Sequence, residues 1–272
     1  MRKNLMSNTM VVDLVMAGPI DRLCLNVMQR GLLAGINFYV GDNDIASTRA
    51  SLSSELEAVP QALQLHADAP KNAVVLCRNG IKSHPFHDAA CVVHVLDASE
   101  HEVGRTQGFS IVIHDMLPEE DNSTSPFTKW ASMAVEGRTP SLDGEGGYWC
   151  SINDVSAALV RLLPHLAALE KKTYHIAGRR YWTLQETWSE FAVLARRAKA
   201  GLSGQFNLEV LTADDSLPIE AQPVSASRTN PARPDIASFH RCLEQHTGEG
   251  WRPVMPLRQT LMLVLASLDA QA

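Results

Sequence analysis

His87, Cys91 and His94 stand four and then three residues apart, with His84 just before them. On a helix that spacing places all three on one stripe. Imidazole and thiolate suit zinc, so the stripe is a possible metal site. His87 alone is a possible acid or base near neutral pH. The plain alternative is packing, because cysteine is commonly buried and histidine tolerates half-buried positions. A second chemistry is suggested by "LVMAGPIDRLCLNVMQRG", Leu14 to Gly31. An apolar run ends at Gly18 and a helix-like segment follows, which is the outline of a nucleotide-binding turn. The other glycines that should line such a turn are missing. A small basic-aromatic cluster, "GRRYW" (Gly178–Trp182), offers a third place for an anion or a partner.

The elements that must position these residues follow from periodicity. "MVVDLVMAG" reads as a buried strand and "IDRLCLNVMQRGL" as a helix with apolar spacing near three and four. "INFYVGD" is strand-like. "SLSSELEAVPQALQLHAD" reads as a helix disturbed at Pro60. "NAVVLCRNG" is a third strand, "HDAACVVHVLDASEHEVGR" a helix and "GFSIVIHDML" a fourth strand. The alternation of strand and helix implies a parallel sheet covered on both faces. Further on, a helix is expected around Phe127–Glu136. "DVSAALVRLLPHLAAL" is an amphipathic helix with Asp154 near its start, favourable to the helix dipole. "KTYHIAG" is a short strand. In "TLQETWSEFAVLARRA", Thr183 and Glu186 form a capping box.

Over about residues 10–265, and best from Phe109 onward, the chain resembles the extended short-chain dehydrogenase/reductase family. The narrower likeness is to NAD-dependent epimerase/dehydratases and dTDP-4-dehydrorhamnose reductases. "INDVSAAL", "YHIAG" and "TLQETWSEF" stand in that family's order and at about its spacing, and "ARPDIASFHRCLEQHTGEGWRPVMPLRQTL" resembles the end of the reductases. The resemblance implies a Rossmann-like α/β fold with a small C-terminal substrate lobe. It gives a core over residues 10–117 and the remaining sheet elements and lobe over 118–272, together one compact unit.

The same resemblance exposes departures. The family turn has glycines at G-x-x-G-x-x-G; aligned on Gly18, this chain reads "GPIDRLC", so Asp21 and Cys24 replace the second and third. Asp21 places a carboxylate where a pyrophosphate would sit. It also stands where a helix N-terminus favours an anion, so it can mimic the phosphate and cap the helix. Asp42, 24 residues after Gly18, remains where an acidic residue takes the ribose hydroxyls. Gly18, Asp21 and Asp42 are thus a degenerate cofactor set. The stretch between Asp42 and Asn72 is about 30 residues and holds one evident helix, so one or two strands of the family sheet are expected to be missing.

The family's catalytic Ser/Thr, Tyr and Lys positions map to Cys77, His87 and Cys91, and no Tyr-x-x-x-Lys occurs anywhere. Lys129, Trp130 and Arg138 fall in the segment that closes over a sugar nucleotide in the family, or else form a solvated helix with one buried Trp. By the same analogy the helix over 87–101 would face a homodimer or protein partner.

Composition narrows the classes. A net charge of −6 without basic runs argues against a nucleic-acid binder, and no apolar run is long enough for a membrane span. The start lacks a continuous apolar core, so no signal peptide is expected. Five widely spaced cysteines with no CxxC fit free thiols in the cytoplasm. Two function classes remain. One is a pseudoenzyme: a binding, regulatory or assembly scaffold with no cofactor and no metal. The other is an enzyme of altered, non-redox chemistry on a sugar nucleotide or similar small molecule. A working NAD(P)-dependent epimerase or reductase requires the turn still to function.

Overall fold

Val12–Ala17 forms the first strand, β1, of a computed structural model that describes residues 12–78, 88–98, 109–119, 125–204 and 232–269. Apolar side chains fill both faces of β1, as a strand covered on both sides requires. Helix α1 (Arg22–Leu33) follows, with Leu23, Cys24, Val27, Met28 and Leu32 on its buried stripe. It returns to β2 (Ile36–Val40) through Gly35 at φ +80. Gly31 lets α1 lie close to β2: a Cβ there would stand 2.4 Å from Cζ of Phe38.

After β2 come two short helices, α2 (Ile45–Ser51) and α3 (Ser53–Ala58), then a 3-10 turn at Pro60–Ala62 and the three-residue strand β3 (Leu63–Leu65). The sequence reading placed one helix over residues 51–68, disturbed at Pro60, and none over α2. It missed β3, which is too short to show a period.

Strand β4 (Val74–Arg78) follows, and then β5 (Cys91–Asp97). Here the structure corrects the sequence: the segment read as a helix is a strand. Val92, Val93 and Val95 are β-branched and favour strand over helix, and β5 is paired on both sides. Strands β6 (Ser110–Ile113), β7 (Met116–Leu117), β8 (Cys150–Ser151) and β9 (Thr173–Ile176) complete the set, with helices α4 (Pro126–Val135), α5 (Ile152–Leu162), α6 (Leu184–Ser203), α7 (Ala237–Thr247) and α8 (Leu257–Asp269).

The main sheet has seven strands in the order β3-β2-β1-β4-β5-β6-β9, and its registered pairs from β3 to β6 are all parallel. This is the Rossmann-like α/β class expected, with helices on both sides. The chain order reverses between β1 and β4, and in open α/β sheets ligands bind outside the strand ends at such a switch point. The crossovers around β5 are short: residues 79–90 join β4 to β5, and 98–109 join β5 to β6.

By packing, the chain divides into two units. The first takes Met1–Ile113, Ser156–His175 and Ile236–Arg252; the second takes His114–Val155, Ile176–Asp235 and Pro253–Ala272. The first is built on the sheet. The second is built on an aromatic core in which Phe127, Trp130, Trp188 and Phe191 pack with Leu261, Val264 and Leu265 of α8. In that unit the predicted capping box is present: Thr183 Oγ1 accepts from the Glu186 N–H at 3.1 Å, and the Glu186 carboxylate accepts from the Thr183 N–H at 2.9 Å. Asp154 does more than favour its helix dipole. Its carboxylate accepts the backbone N–H groups of Val254 and Met255, at 3.1 and 3.0 Å, and so fixes the tail.

Candidate functional site

The turn after β1 shows why Gly18 is kept. Its φ of +113 is one that only glycine adopts freely. Three residues on, Asp21 is the N-cap of α1. Its backbone is extended, at φ −84 and ψ −179, and its Oδ1 accepts the Cys24 N–H at 2.8 Å. The second carboxylate oxygen receives Nε of Arg78, at 2.5 Å. Arg78 is the last residue of β4, the strand beside β1, so it reaches α1 across the switch point. Its Nη1 donates to the Val95 carbonyl at 3.1 Å and its Nη2 to Asp97 Oδ2 at 2.8 Å.

The network is buried unevenly. The side chains of Arg78 and Asp21 are 2% and 4% exposed, while that of Asp97 is 37% exposed. Burial works against the Arg78 charge, but Asp97 and Asp21 outweigh it and hold its pKa above the ordinary value. The Cys24 thiol beside them is pushed well up, first by burial and then by the Asp21 charge.

The turn departs from a dinucleotide cradle at two of its backbone positions. A pyrophosphate in this fold rests on bare backbone N–H groups at the start of the first helix. Here the Cys24 N–H is already satisfied by Asp21, and Pro19 has no N–H to give. The guanidinium that would attract a phosphate is paired with two carboxylates. Beyond the turn, His66 Nε2 lies 2.9 Å from the Met16 carbonyl at the end of β1, and its ring comes within 3.8 Å of a Cβ placed on Gly41. Of the degenerate cofactor set, Gly18 and Asp21 share the turn, and Asp42 is exposed just past the end of β2.

The substituted catalytic trio does not assemble. Cys77 pairs in register with His94, and Cys91 pairs with Val74. Neighbouring strand residues alternate faces, so Cys77 and Cys91 point to opposite sides of the sheet. Cys91 Sγ is 3.6 Å from the Leu166 carbonyl, while Cys77 is in a cluster with Val15, Tyr39 and Val75. Burial raises both thiols, Cys77 to about 11. His87 lies outside the described residues.

The metal stripe is corrected as well. On a strand, Cys91 and His94 face opposite ways, and no group of three or more metal-ligating side chains occurs among the described residues. The 87–101 helix proposed to meet a partner contains instead the interior strand β5, flanked by β4 and β6. The crossover after β5, residues 98–109, contains neither Tyr nor Lys, and the one before it contains no Tyr.

Lys129, Trp130 and Arg138 do not converge either. Trp130 is a core residue, edge-on to Phe127, Trp188 and Phe191 with ring centroids 5.3, 5.5 and 6.0 Å away. That packing overturns its reading as a stacking platform. Lys129 is exposed, and Arg138 pairs with Glu136 on the surface. In "GRRYW" both arginines are exposed, and the contacts are internal to the protein: Arg180 lies 3.9 Å over the Trp182 ring and 2.7 Å from Glu186, and Tyr181 OH accepts the Gly146 N–H at 2.8 Å.

Sequence reasoning missed Arg78 and Asp97. Their signal is an arginine closing the apolar run "NAVVLC" and an aspartate closing "VVHVL". A charge at the end of a buried strand must find a partner. It also missed Asp13, whose carboxylate accepts from Asn37 Nδ2 at 2.9 Å and Tyr39 OH at 3.1 Å, and Asp115, which stands at φ +49 and accepts the Tyr148 N–H at 2.7 Å.

No protein-family model matches this chain, and no curated protein does. Solved structures are similar to it along nearly its whole length. The Bordetella bronchiseptica enzyme WbmH, solved with NAD+, is 12% identical with a TM-score of 0.55, over 96% of this chain and 100% of its own. WbmG of the same organism, solved with NAD, is 10% identical with a TM-score of 0.53, over 98% and 96%. UDP-glucuronic acid 4-epimerase from Bacillus cereus, solved with UDP-glucuronic acid and NAD, is 10% identical with a TM-score of 0.52, over 96% and 100%. At 10–12% identity the likeness is one of fold: the Rossmann-like α/β architecture is shared with enzymes solved with NAD.

Proposed function

We propose that this chain, folded like enzymes solved with NAD but carrying its own ion pair in the cofactor turn, is a pseudoenzyme: a binding, regulatory or assembly scaffold. The observation that carries the reading is the Asp21–Arg78 pair, sealed on the Cys24 N–H where a pyrophosphate would need free backbone. The separation of Cys77 from Cys91 on opposite sheet faces adds to it, because it removes the substituted trio as a single reactive centre. No described helix is long and apolar enough to cross a membrane, and all five cysteines are free and buried. Free thiols fit a reducing compartment, and we place the protein in the cytoplasm.

The test is calorimetry with NAD, NADP, UDP and UDP-glucose. The scaffold reading expects no saturable heat from NAD or NADP. Micromolar NAD binding that is lost on blocking the turn would overturn it and restore the NAD(P)-dependent epimerase or reductase. Saturable binding of UDP-glucose without NAD would favour altered chemistry on a sugar nucleotide, a reading that rests on several similar structures having been solved with such ligands.

A further inference from the structure

We propose that His165 and His246 form a two-histidine site for a zinc ion. The rings come from two elements of the first packing unit. His165 lies in the 3-10 turn Leu163–Ala168, which has Pro164 near its start and is anchored by the buried Leu163 and Leu166. His246 lies in the last turn of α7, whose Phe239, Cys242 and Leu243 are buried. The two ring centroids are 5.3 Å apart and the rings are tilted by 32°. Both side chains are half-buried. Neither ring makes a hydrogen bond among the described residues, and neither has a nitrogen sealed from solvent. A histidine kept for structure usually spends a ring nitrogen on the protein, as His66 and His240 do here. These two spend none.

The spacing selects the metal. A tetrahedral zinc with Zn–N bonds of about 2.0–2.1 Å holds two imidazole centroids about 5 Å apart, close to the distance observed. Adjacent imidazoles on a square-planar copper come nearer, to about 4.5 Å, and magnesium and calcium take oxygen ligands instead. The two carriers are also fixed against each other. Arg161, one turn before His165, donates through Nη2 to Thr247 Oγ1 and to the Glu249 carbonyl, both at 2.7 Å. Thr247 Oγ1 donates in turn to the Leu243 carbonyl at 2.8 Å. This clamp ties the end of α5 to the end of α7, so the pair is held in place before any ion arrives. The Arg161 charge would oppose a cation, but Glu249 stands 3.7 Å from it. No third metal-ligating side chain joins the pair among the described residues, so water completes the shell and binding is reversible. The proposal does not depend on the reading of the cofactor turn.

The test is a titration of the untagged full chain with zinc chloride, read by the imidazole carbon–proton NMR signals and by melting temperature. In the wild type the His165 and His246 signals should move together to one saturating midpoint, and the melting temperature should rise. His165→Gln and His246→Gln keep bulk and polarity without the imidazole. Each should weaken zinc binding at the remaining ring by at least about tenfold and abolish the thermal gain. Magnesium should move neither ring. The wild-type titration decides by itself if the variants prove unstable. Movement of one ring without the other, no saturation by millimolar zinc, an unchanged midpoint in either variant, or an equal response to magnesium would each overturn the proposal.

Discussion

Removing the Asp21 carboxylate should be among the most costly single changes available in this chain. Asp21→Ala deletes an N-cap acceptor, worth about 1 kcal/mol. It also leaves the Arg78 guanidinium, 2% exposed, with one of its two carboxylates gone. Breaking a buried pair by removing one partner costs about 3–5 kcal/mol. Asp97 remains and softens the loss, so a total of roughly 3–5 kcal/mol is expected for both effects together. For a chain of this size each kcal/mol lowers the melting temperature by about 2–4 °C, so a fall of about 10 °C should be seen by calorimetry. Urea titration should give the same loss with an unchanged slope. The decisive comparison is Asp21→Ala with Arg78→Met. With both charges gone the burial penalty disappears, and the pair of changes should cost only about 1–2 kcal/mol. A single-mutant loss below about 1 kcal/mol, or a double mutant as unstable as the sum of its singles, would refute the claim that this pair is buried and coupled.

Other outcomes follow from the same packing. Cys77, buried and raised to about 11, should be unreactive to thiol reagents at pH 8 in the native chain. Fast single-site labelling there would restore Cys77 as a nucleophile. Gly31→Ala would help an isolated helix, but here it should destabilise by about 1–3 kcal/mol, because the new Cβ meets the Phe38 ring. Phe38→Leu in the same chain should return part of that loss in urea titrations. Asp115→Asn should be tolerated at φ +49, whereas Asp115→Ala should lose about 1–2 kcal/mol of backbone preference together with the acceptor for Tyr148 N–H. Burial raises the Asp115 carboxyl, so the folded state holds that proton more tightly than the unfolded state. The charge therefore costs stability above the folded pKa. Asp115→Asn should gain on the wild type at neutral pH, and the gain should fade as the pH drops through that pKa.

Much of the architecture was legible in the sequence because buried strands and amphipathic helices leave plain periods. β1, α1, β2, β4 and β6 were read correctly, and the Thr183–Glu186 capping box was found down to its two hydrogen bonds. The misreading of β5 has a specific cause. Cys91, His94 and their flanking residues fit a helical stripe by coincidence, while the three valines and the need of β4 and β6 for partners decided the outcome. β3, at three residues, lies below the length at which a period exists. At the candidate site, Asp21 was expected as a cap on its type and place alone. Its partner was not visible, since Arg78 is 57 residues away and only the parallel neighbouring of β1 and β4 brings it near. For Trp130 the sequence left two readings, a ligand-stacking ring or the one buried Trp of a solvated helix, because nothing in its own helix reveals the Trp188 and Phe191 that cover it and decide for burial.

The placement of Arg78 and Asp97 on adjoining strands has a consequence for how the sheet finds its alignment. Arg78 pairs with Val95, and Asp97 is two residues further on the same face. If β5 slid by one residue against β4, every side chain on it would change sides. Valines fill either side of such a strand almost equally well, so apolar packing alone tells the two alignments apart poorly. The slipped arrangement would leave the guanidinium without Asp97 and turn that aspartate towards the opposite face. The charges thus act as a key that fits only one registry, and a strand rich in valine gains a unique place in the sheet from the two polar residues at its edge.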